Sequence, residues 1–315
     1  MNLLLQFSVP NKISEIAVTG SKSETNRLLL LQALYPNITL ENVSKSDDSE
    51  VMTKALSSNV QPTTQIVDIH HAGTAMRFLT AYFSVQDGRE VILTGSPRMK
   101  ERPIKILVEA LKQLGAEISY EENEGFPPIK IKGKKLSNNK VSLLANTSSQ
   151  YISALLLIAP KLENGLELTL EGEITSVPYI KMTLALLNEI GVETSFEGNI
   201  IKVNQKSAIV NQQSTIESDW SSASYFYSLV ALSEVGTQIT ISSYKQNSLQ
   251  GDSVLAEIYK HFGVQTTFQG NKIVIAKTEN SSQESLNFNH KNSPDIAQTV
   301  VVTCFGLGIG CHLTG

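Results

Sequence analysis

The sequence predicts a protein of the α/β (α+β) class built from repeated units, and three observations predict it. KILVEALKQLGAEISY, TLALLNEIGVETSF and VLAEIYKHFGVQTTF share one pattern: an amphipathic helix, a glycine at its end, then an alternating strand. Their glycines, Gly115, Gly191 and Gly263, stand 76 and 72 residues apart. A second pattern interleaves with the first. A polar turn, an apolar helix and a strand ending in a polar residue recur from near Ser23, Thr74, Ser149, Ser222 and Asp295. A repeat of roughly 70 residues holding both helices and strands implies stacked supersecondary units, not one doubly wound sheet.

The elements follow in order. GSKSETNR at 20–27 opens a leucine-rich helix that runs on to the strand NITLENV. HAGTAMR at 71–77 opens a second helix, followed by EVILTG. SSQYISALL at 148–156 leads to LELTLEG, and DWSSASY at 219–225 leads to TQITISS. PDIAQT at 294–299 opens a fifth copy. Aligned on one another, the copies place SKSETNR, AGTAMR, TSSQY, SDWSSASY and SPDIAQ at helix N-termini. Free N–H groups and the positive end of the helix dipole make such ends ready anion sites. Ser, Thr and Asp are also good N-caps, and capping alone accounts for the hydroxyls. It does not account for the cations beside them.

At 315 residues the chain is long enough for two domains. A hydrophobic content of 41% and a charged content of 18% are those of an ordinary globular protein. A net charge of -4 argues against a general nucleic-acid binder. MNLLLQFSVP lacks the basic flank of a signal peptide, and no apolar run approaches the ~20 residues that span a bilayer. Cys304 and Cys311, seven apart in an apolar segment, suggest two buried free thiols and a reducing cytoplasm. His70 and His71 are adjacent and the other histidines scattered, so no metal site is expected; there is no phosphate-loop or dinucleotide fingerprint either.

Of 26 basic residues only five are arginine: Arg27, Arg77, Arg89, Arg98 and Arg102, all before residue 103. Arginine offers a planar fork that lysine cannot replace at carboxylate or phosphate sites. Each is therefore a candidate for such a site, with chance or a surface salt bridge as the competing account. Arg89, in the turn-like QDGRE, is assigned to the latter.

These motifs carry a resemblance. GSKSETNR, HAGTAMR, LTGSPRMKERPI at 93–104, SSQYISALL, SVPYI at 176–180, DWSSASY, NSLQGD at 247–252 and PDIAQT occur in the order and spacing of the 3-phosphoshikimate 1-carboxyvinyltransferases. These form the EPSP synthase branch of the enolpyruvyl transferase family, and the chain resembles them along its whole length. The resemblance implies a two-domain, inside-out α/β barrel of βαβαββ units, helices inside and sheets outside. Residues 20–217 would form the first domain, with three repeats. Residues 1–19 and 218–315 would form the second, with the active site between them. It implies transfer of the enolpyruvyl group of phosphoenolpyruvate to the 5-hydroxyl of shikimate 3-phosphate, with release of phosphate and no cofactor. It also implies a cytoplasmic enzyme, monomeric at full length, with small-molecule partners and neither nucleic acid nor membrane.

Roles follow from the resemblance, residue by residue. Lys22 would contact phosphoenolpyruvate and help proton transfer. Ser23 and Arg27 would hold the shikimate ring and carboxylate. Gly73 would lie against phosphoenolpyruvate, and Arg98 would pair with its phosphate. Ser148, Ser149 and Ser176 would take the phosphate of shikimate 3-phosphate, Gln150 would bridge both substrates, and Tyr179 would line the shikimate side. Asp295 would meet the shikimate hydroxyls as candidate general base; a helix cap after Pro294 is its competing role. Arg77 and Arg102 are ranked as supports of the fold. Many family members have Asn in place of His71, Pro in place of Phe78 and a basic residue in place of Val177. The related UDP-N-acetylglucosamine enolpyruvyl transferases carry a cysteine in the loop corresponding to SPRMKERPI, and this loop has none.

The last expectation concerns the end of the sequence. CFGLGIGCHLTG stops in mid-repeat, after five copies of the polar-turn helix where the family has six. The family's KETDR-type and DHR motifs and its late lysine, which complete the phosphoenolpyruvate site, are not in this sequence. A C-terminally truncated chain is the expectation, with a non-catalytic fragment that binds shikimate 3-phosphate as the alternative function.

Overall fold

Helices that are apolar on every side must be buried, and their polar N-terminal turns then mark where the chain enters the core. The computed structural model describes residue 4 and residues 10–57, 64–174 and 177–315. After strand β1 (Ile13–Ala17) come α1 (Lys22–Leu34), β2 (Ile38–Glu41), α2 (Asp47–Ser57), β3 (Gln65–Asp68), α3 (Gly73–Ser84) and β4 (Glu90–Thr94). Next are α4 (Pro97–Lys100), α5 (Lys105–Gln113), β5 (Glu117–Tyr120), β6 (Ile129–Lys132), β7 (Lys140–Leu144), α6 (Ser149–Ile158) and β8 (Leu166–Glu171). Then follow α7 (Val177–Glu189), β9 (Thr194–Glu197), β10 (Ile200–Val203), β11 (Gln212–Thr215), α8 (Trp220–Ala231) and β12 (Gln238–Ser242). The chain closes with α9 (Leu255–Ile258), β13 (Val264–Gln269), β14 (Lys272–Lys277), β15 (Ser285–Asn289), α10 (Ala297–Leu307) and β16 (Gly310–Thr314).

The chain divides into two compact units, residues 21–216 and residues 1–20 with 217–315. The repeat is explicit in the sheets. The orders β3-β4-β6-β5, β7-β8-β10-β9 and β1-β12-β14-β13 each start with a parallel pair and continue antiparallel. In each, the parallel strand follows a polar-turn helix, α3, α6 or α8. Two parallel pairs, β11-β2 and β15-β16, repeat the first half of the pattern beside α1 and α10. Gly115, Gly191 and Gly263 all take positive φ, 103°, 81° and 73°, where a Cβ is strained.

In the unit 21–216, α3 is buried at every residue, and α1 and α6 along most of their length. Val91, Leu93, Ile129 and Ile131 turn the inner face of one sheet onto these helices, all at 0% exposure. Arg89 is not at the surface, contrary to the sequence expectation. It is buried, donates to Gln65 Oε1 at 2.8 Å and stands 4.6 Å from the Phe83 ring centroid. A guanidinium stacked on an aromatic face gains cation–π attraction, which lets it sit under the sheet edge.

The other unit packs Trp220, Tyr227, Tyr244, Tyr259 and Phe262 into one aromatic core. Buried Lys277 donates to the carbonyls of Ala231 (2.9 Å) and Phe262 (2.7 Å), closing two helix C-termini where a cation is favoured. Two expectations need correction here. VLAEIYKHF is not one amphipathic helix: 3-10 turns at Gly251–Val254 and Tyr259–Phe262 flank the single turn of α9. Its β-branched and aromatic residues are poor helix formers and take the shapes that core packing demands. The cysteines are both free, but only Cys304 is buried; Cys311 is exposed on β16, which pairs with β15 on one side only. Burial pushes the Cys304 thiol up to about 12, so it is an inert core residue.

His290, just past β15, gives this unit a pH dependence. It is buried, its Nδ1 faces Ser293 and its Nε2 has no partner among the described residues. Burial holds the imidazole below its ordinary value, against the opposing pull of Ser293. The folded state thus binds fewer protons than the unfolded state. The stability from neutral His290 is complete above the unfolded value near 6.5 and is lost as pH falls through the lower folded value. The urea midpoint of His290→Asn is expected to fall less between pH 8 and pH 5 than that of the parent chain; equal falls would refute this.

Candidate active site

The polar turns expected from the sequence do begin the buried helices, and capping explains part of their composition. Ser21 caps α1 by accepting from Glu24 N, and Ser148 caps α6 by accepting from Gln150 N, each at 3.4 Å. Asp219 caps α8 by accepting from Ser222 N at 2.7 Å. The N-terminus of α3 has no side-chain cap of its own. Asp48, from the first turn of α2, accepts from Thr74 N at 3.2 Å instead.

Within residues 21–216 the structure gathers several of the predicted residues. Helices α1, α3 and α6 pack on one another, and α7 packs on α1 and α6. Gln150 Nε2 donates to Thr74 Oγ1 at 3.3 Å and so links the N-termini of α6 and α3. Arg27 is 3% exposed. Its Nε donates to Thr183 Oγ1 (2.8 Å), Nη1 to Ser23 O (2.8 Å), and Nη2 to Ser153 Oγ (2.9 Å) and Tyr179 O (3.4 Å). The guanidinium carbon lies 5.5 Å from the Phe78 ring and 5.9 Å from the Tyr179 ring. Burial lowers Arg27 to about 10, against the pull of Tyr179 and Glu24. Four of its five N–H groups are thus engaged with protein oxygens, and one Nη1 hydrogen has no acceptor among the described residues.

Around Gly73 a second cationic group forms. Arg77 is buried and donates Nη1 to Gly73 O at 2.9 Å, its guanidinium 5.9 Å from the Tyr151 ring. Burial and then the like charge of Arg102 lower Arg77, while Tyr151 and Asp48 oppose them. Arg102 lays its guanidinium over Gly73: a Cβ built there would fall 2.9 Å from Nη2 and closer still to Nη1. His71 Nδ1 and Ser96 Oγ are 2.8 Å apart at the rim of this group.

Other predicted residues are exposed at their helix ends or belong elsewhere in the chain. Lys22 is exposed at the first position of α1, and Ser148 is exposed at the end of α6, with Ser149 half-buried after it. Arg98 points to solvent on α4 with its side chain 83% exposed, 3.7 Å from Glu101. Ser176 lies outside the described residues. Asp295 belongs to the other unit, exposed in the 3-10 turn Pro294–Ile296. It is not a helix cap: Ser293 holds the cap position, and Pro294 fixes the next φ without any side-chain hydrogen bond. No three His, Cys, Asp or Glu side chains among the described residues converge as metal ligands.

The family model described as EPSP synthase (3-phosphoshikimate 1-carboxyvinyltransferase) matches residues 57–306. A 3-phosphoshikimate 1-carboxyvinyltransferase of Bacteroides fragilis (strain YCH46) is 44% identical over 317 residues, covering 98% of this chain and 74% of the relative. The chain belongs to the EPSP synthase family. The like-named protein of Haemophilus influenzae (strain ATCC 51907 / DSM 11121 / KW20 / Rd) is 37% identical, covering 91% of this chain and 72% of its own. A solved EPSP synthase from Acinetobacter baumannii superposes with a TM-score of 0.73 at 18% identity, over 93% of this chain and 71% of that one. The mixed helices and strands described above are therefore the two-domain α/β fold of the EPSP synthases.

Sequence reasoning missed three groups in this EPSP synthase fold. Ser153 and Thr183 anchor Arg27, yet each looks like a blemish in an apolar helix, YISALLLI and KMTLALL. Asp48 at the α3 N-terminus is one of three acidic residues in DDSE, and nothing in that run singles it out. A hydroxyl inside an otherwise apolar helix was the one usable signal, because a buried polar group needs a partner.

Proposed function

We propose that this chain transfers the enolpyruvyl group of phosphoenolpyruvate to the 5-hydroxyl of shikimate 3-phosphate and releases phosphate, the EPSP synthase step of the shikimate pathway. The observation that carries the reading is the 44% identity to a 3-phosphoshikimate 1-carboxyvinyltransferase across 98% of the chain. The site supports it, because the motif residues collect at the N-termini of three helices packed in one unit. Both substrates carry a phosphate and a carboxylate, and helix N-termini with adjacent arginine and lysine suit such anions. The two compact units are the two domains of the enzyme. Free thiols at Cys304 and Cys311 accord with work in a reducing cytoplasm.

The reaction adds and then eliminates. The 5-oxygen bonds to the central carbon of phosphoenolpyruvate while a proton joins the terminal carbon. The carbon–oxygen bond to phosphate then breaks as a proton leaves that terminal carbon. Lys22 contacts phosphoenolpyruvate and serves proton transfer, and Asp295 takes the hydroxyl proton. Ser148, Ser149, Ser176 and Gln150 bind shikimate 3-phosphate, and Tyr179 lines its ring. Arg98, free to swing on exposed α4, reaches the phosphate of phosphoenolpyruvate. Ser23 and Arg27 orient the shikimate carboxylate, Arg27 through its one remaining Nη1 hydrogen. Acid–base groups of this kind typically give about 10²–10⁴-fold each, and fixed cations add charge stabilisation.

Phosphate release with phosphoenolpyruvate and shikimate 3-phosphate tests the reading, with UDP-N-acetylglucosamine as control acceptor. Release with shikimate 3-phosphate alone is expected. Release with the control acceptor, or with neither, would overturn it. Gly73→Ala adds a second expected result. The new methyl displaces the Arg102 guanidinium, the flexible end of an exposed side chain, so stability is expected to change by less than about 1 kcal/mol. Phosphoenolpyruvate binding should weaken more than shikimate 3-phosphate binding, and calorimetry showing equal losses would count against this placement of Gly73.

A further inference from the structure

NSLQGD at 247–252 has no part in the site above, yet its last residue has an unusual setting. Asp252 lies in the 3-10 turn Gly251–Val254 and is 4% exposed. Ser221, in the first turn of α8, donates its hydroxyl to Asp252 Oδ2 at 2.5 Å, while Oδ1 is buried with no hydrogen-bond partner. A buried charge with an unsatisfied oxygen is costly, and the group responds by holding its proton to higher pH. The turn packs against α8 and against the turn Pro294–Ile296 that carries Asp295. Burial holds the Asp252 carboxyl up at about 6; the Ser221 hydroxyl opposes this, and the charges of Asp295 and Asp219 add to it. Asp219 is engaged as the α8 cap, and Glu257 on neighbouring α9 pairs with Lys260 at the surface.

We propose that Asp252 is a positioning residue for enolpyruvyl transfer, acting through Asp295 as the buried half of a carboxyl pair. This rests on the reading of Asp295 as the base. Neighbouring carboxyls exchange protons as a pair, because charge on either is felt by the other. When Asp295 takes the substrate's hydroxyl proton, the charge facing Asp252 is neutralised, and Asp252 then holds its own proton less tightly. The charge on Asp252 raises the affinity of Asp295 for the substrate's hydroxyl proton, and the Ser221 hydroxyl is placed to stabilise that buried charge.

Carboxyl-13C NMR of the 315-residue chain, labelled at aspartate, follows Asp252 directly and needs no turnover. Its signal is identified by loss in Asp252→Asn. Should that variant not fold, Ser221→Ala identifies the signal by raising its midpoint. In Asp295→Asn the Asp252 midpoint is expected to fall by about half a pH unit or more; an unmoved midpoint overturns the pair. The second readout is kcat/KM against pH. Asp252→Asn is expected to lower kcat about tenfold, leave both KM values within about twofold and move the acid limb to lower pH, with partial rescue by Asp252→Glu. An unchanged kcat and limb would overturn the role. Failure of the base reading looks different: Asp295→Asn would then keep full turnover, whatever the NMR midpoint does.

Discussion

Lys22→Ala is expected to lower phosphate release about a thousandfold or more while leaving the unfolding free energy within about 0.5 kcal/mol of the parent. The two halves of this result have separate causes. Lys22 is exposed at the first position of α1 and fills no core. A cation there opposes the positive end of the helix dipole, and alanine is the better helix former, so helix propensity does not ask for lysine at this position. Lys22 is the ammonium proposed to serve proton transfer at phosphoenolpyruvate, and alanine can neither carry a proton nor neutralise the substrate. Lys22→Arg keeps the charge but replaces a compact, mobile ammonium with a rigid fork, and should recover only part of the rate. Normal phosphate release by Lys22→Ala would sink the assignment. A lowered urea midpoint would instead move Lys22 into the fold's support.

Much of this architecture was legible because two periods recur in the sequence. The apolar runs of α1, α3 and α6 have no polar face, which marks them as interior helices, and each follows a turn with capping residues. What the strands pair with was not legible. TQITISS reads as a strand, yet its parallel partner is Ile13–Ala17, more than two hundred residues away, and no motif marks that pairing. The same holds at the site. Motifs indicated Arg27, Gln150 and Tyr179, but not that Arg27 would be held by Ser153 and Thr183, 126 and 156 residues along. Phe78, noted only as a departure from the family's usual proline, lies against that guanidinium in the core. Asp252 was hidden for another reason: its character comes from burial and an unpaired oxygen, and neither leaves a trace in NSLQGD.

Arg27→Ala is expected to destabilise the unit 21–216 by about 2–4 kcal/mol, the scale of opening a core cavity and leaving a buried acceptor without its donor. The side chain joins three helices. Ser23 is on α1, Ser153 on α6, and Tyr179 and Thr183 on α7, and all four supply oxygens to one guanidinium. Truncation leaves a void beside Phe78 and Tyr179 and strips a donor from two carbonyls. The hydroxyls suffer less, since Thr183 Oγ1 also donates to Ser153 Oγ or Tyr179 O, each at 2.9 Å. Tyr179 O keeps Thr183 as a donor, so the larger loss falls on Ser23 O, on a residue proposed to meet the shikimate ring. Arg27→Lys keeps a cation but cannot span acceptors on opposite sides of a planar fork, and should recover less than half of the lost stability. Urea unfolding of the three proteins decides the matter. A loss below about 1 kcal/mol in Arg27→Ala would mean that the network contributes little net stability, and that Arg27 is kept for the substrate alone. A full loss with unchanged shikimate 3-phosphate affinity in the folded fraction would mean the reverse, that its last N–H never reaches the ligand.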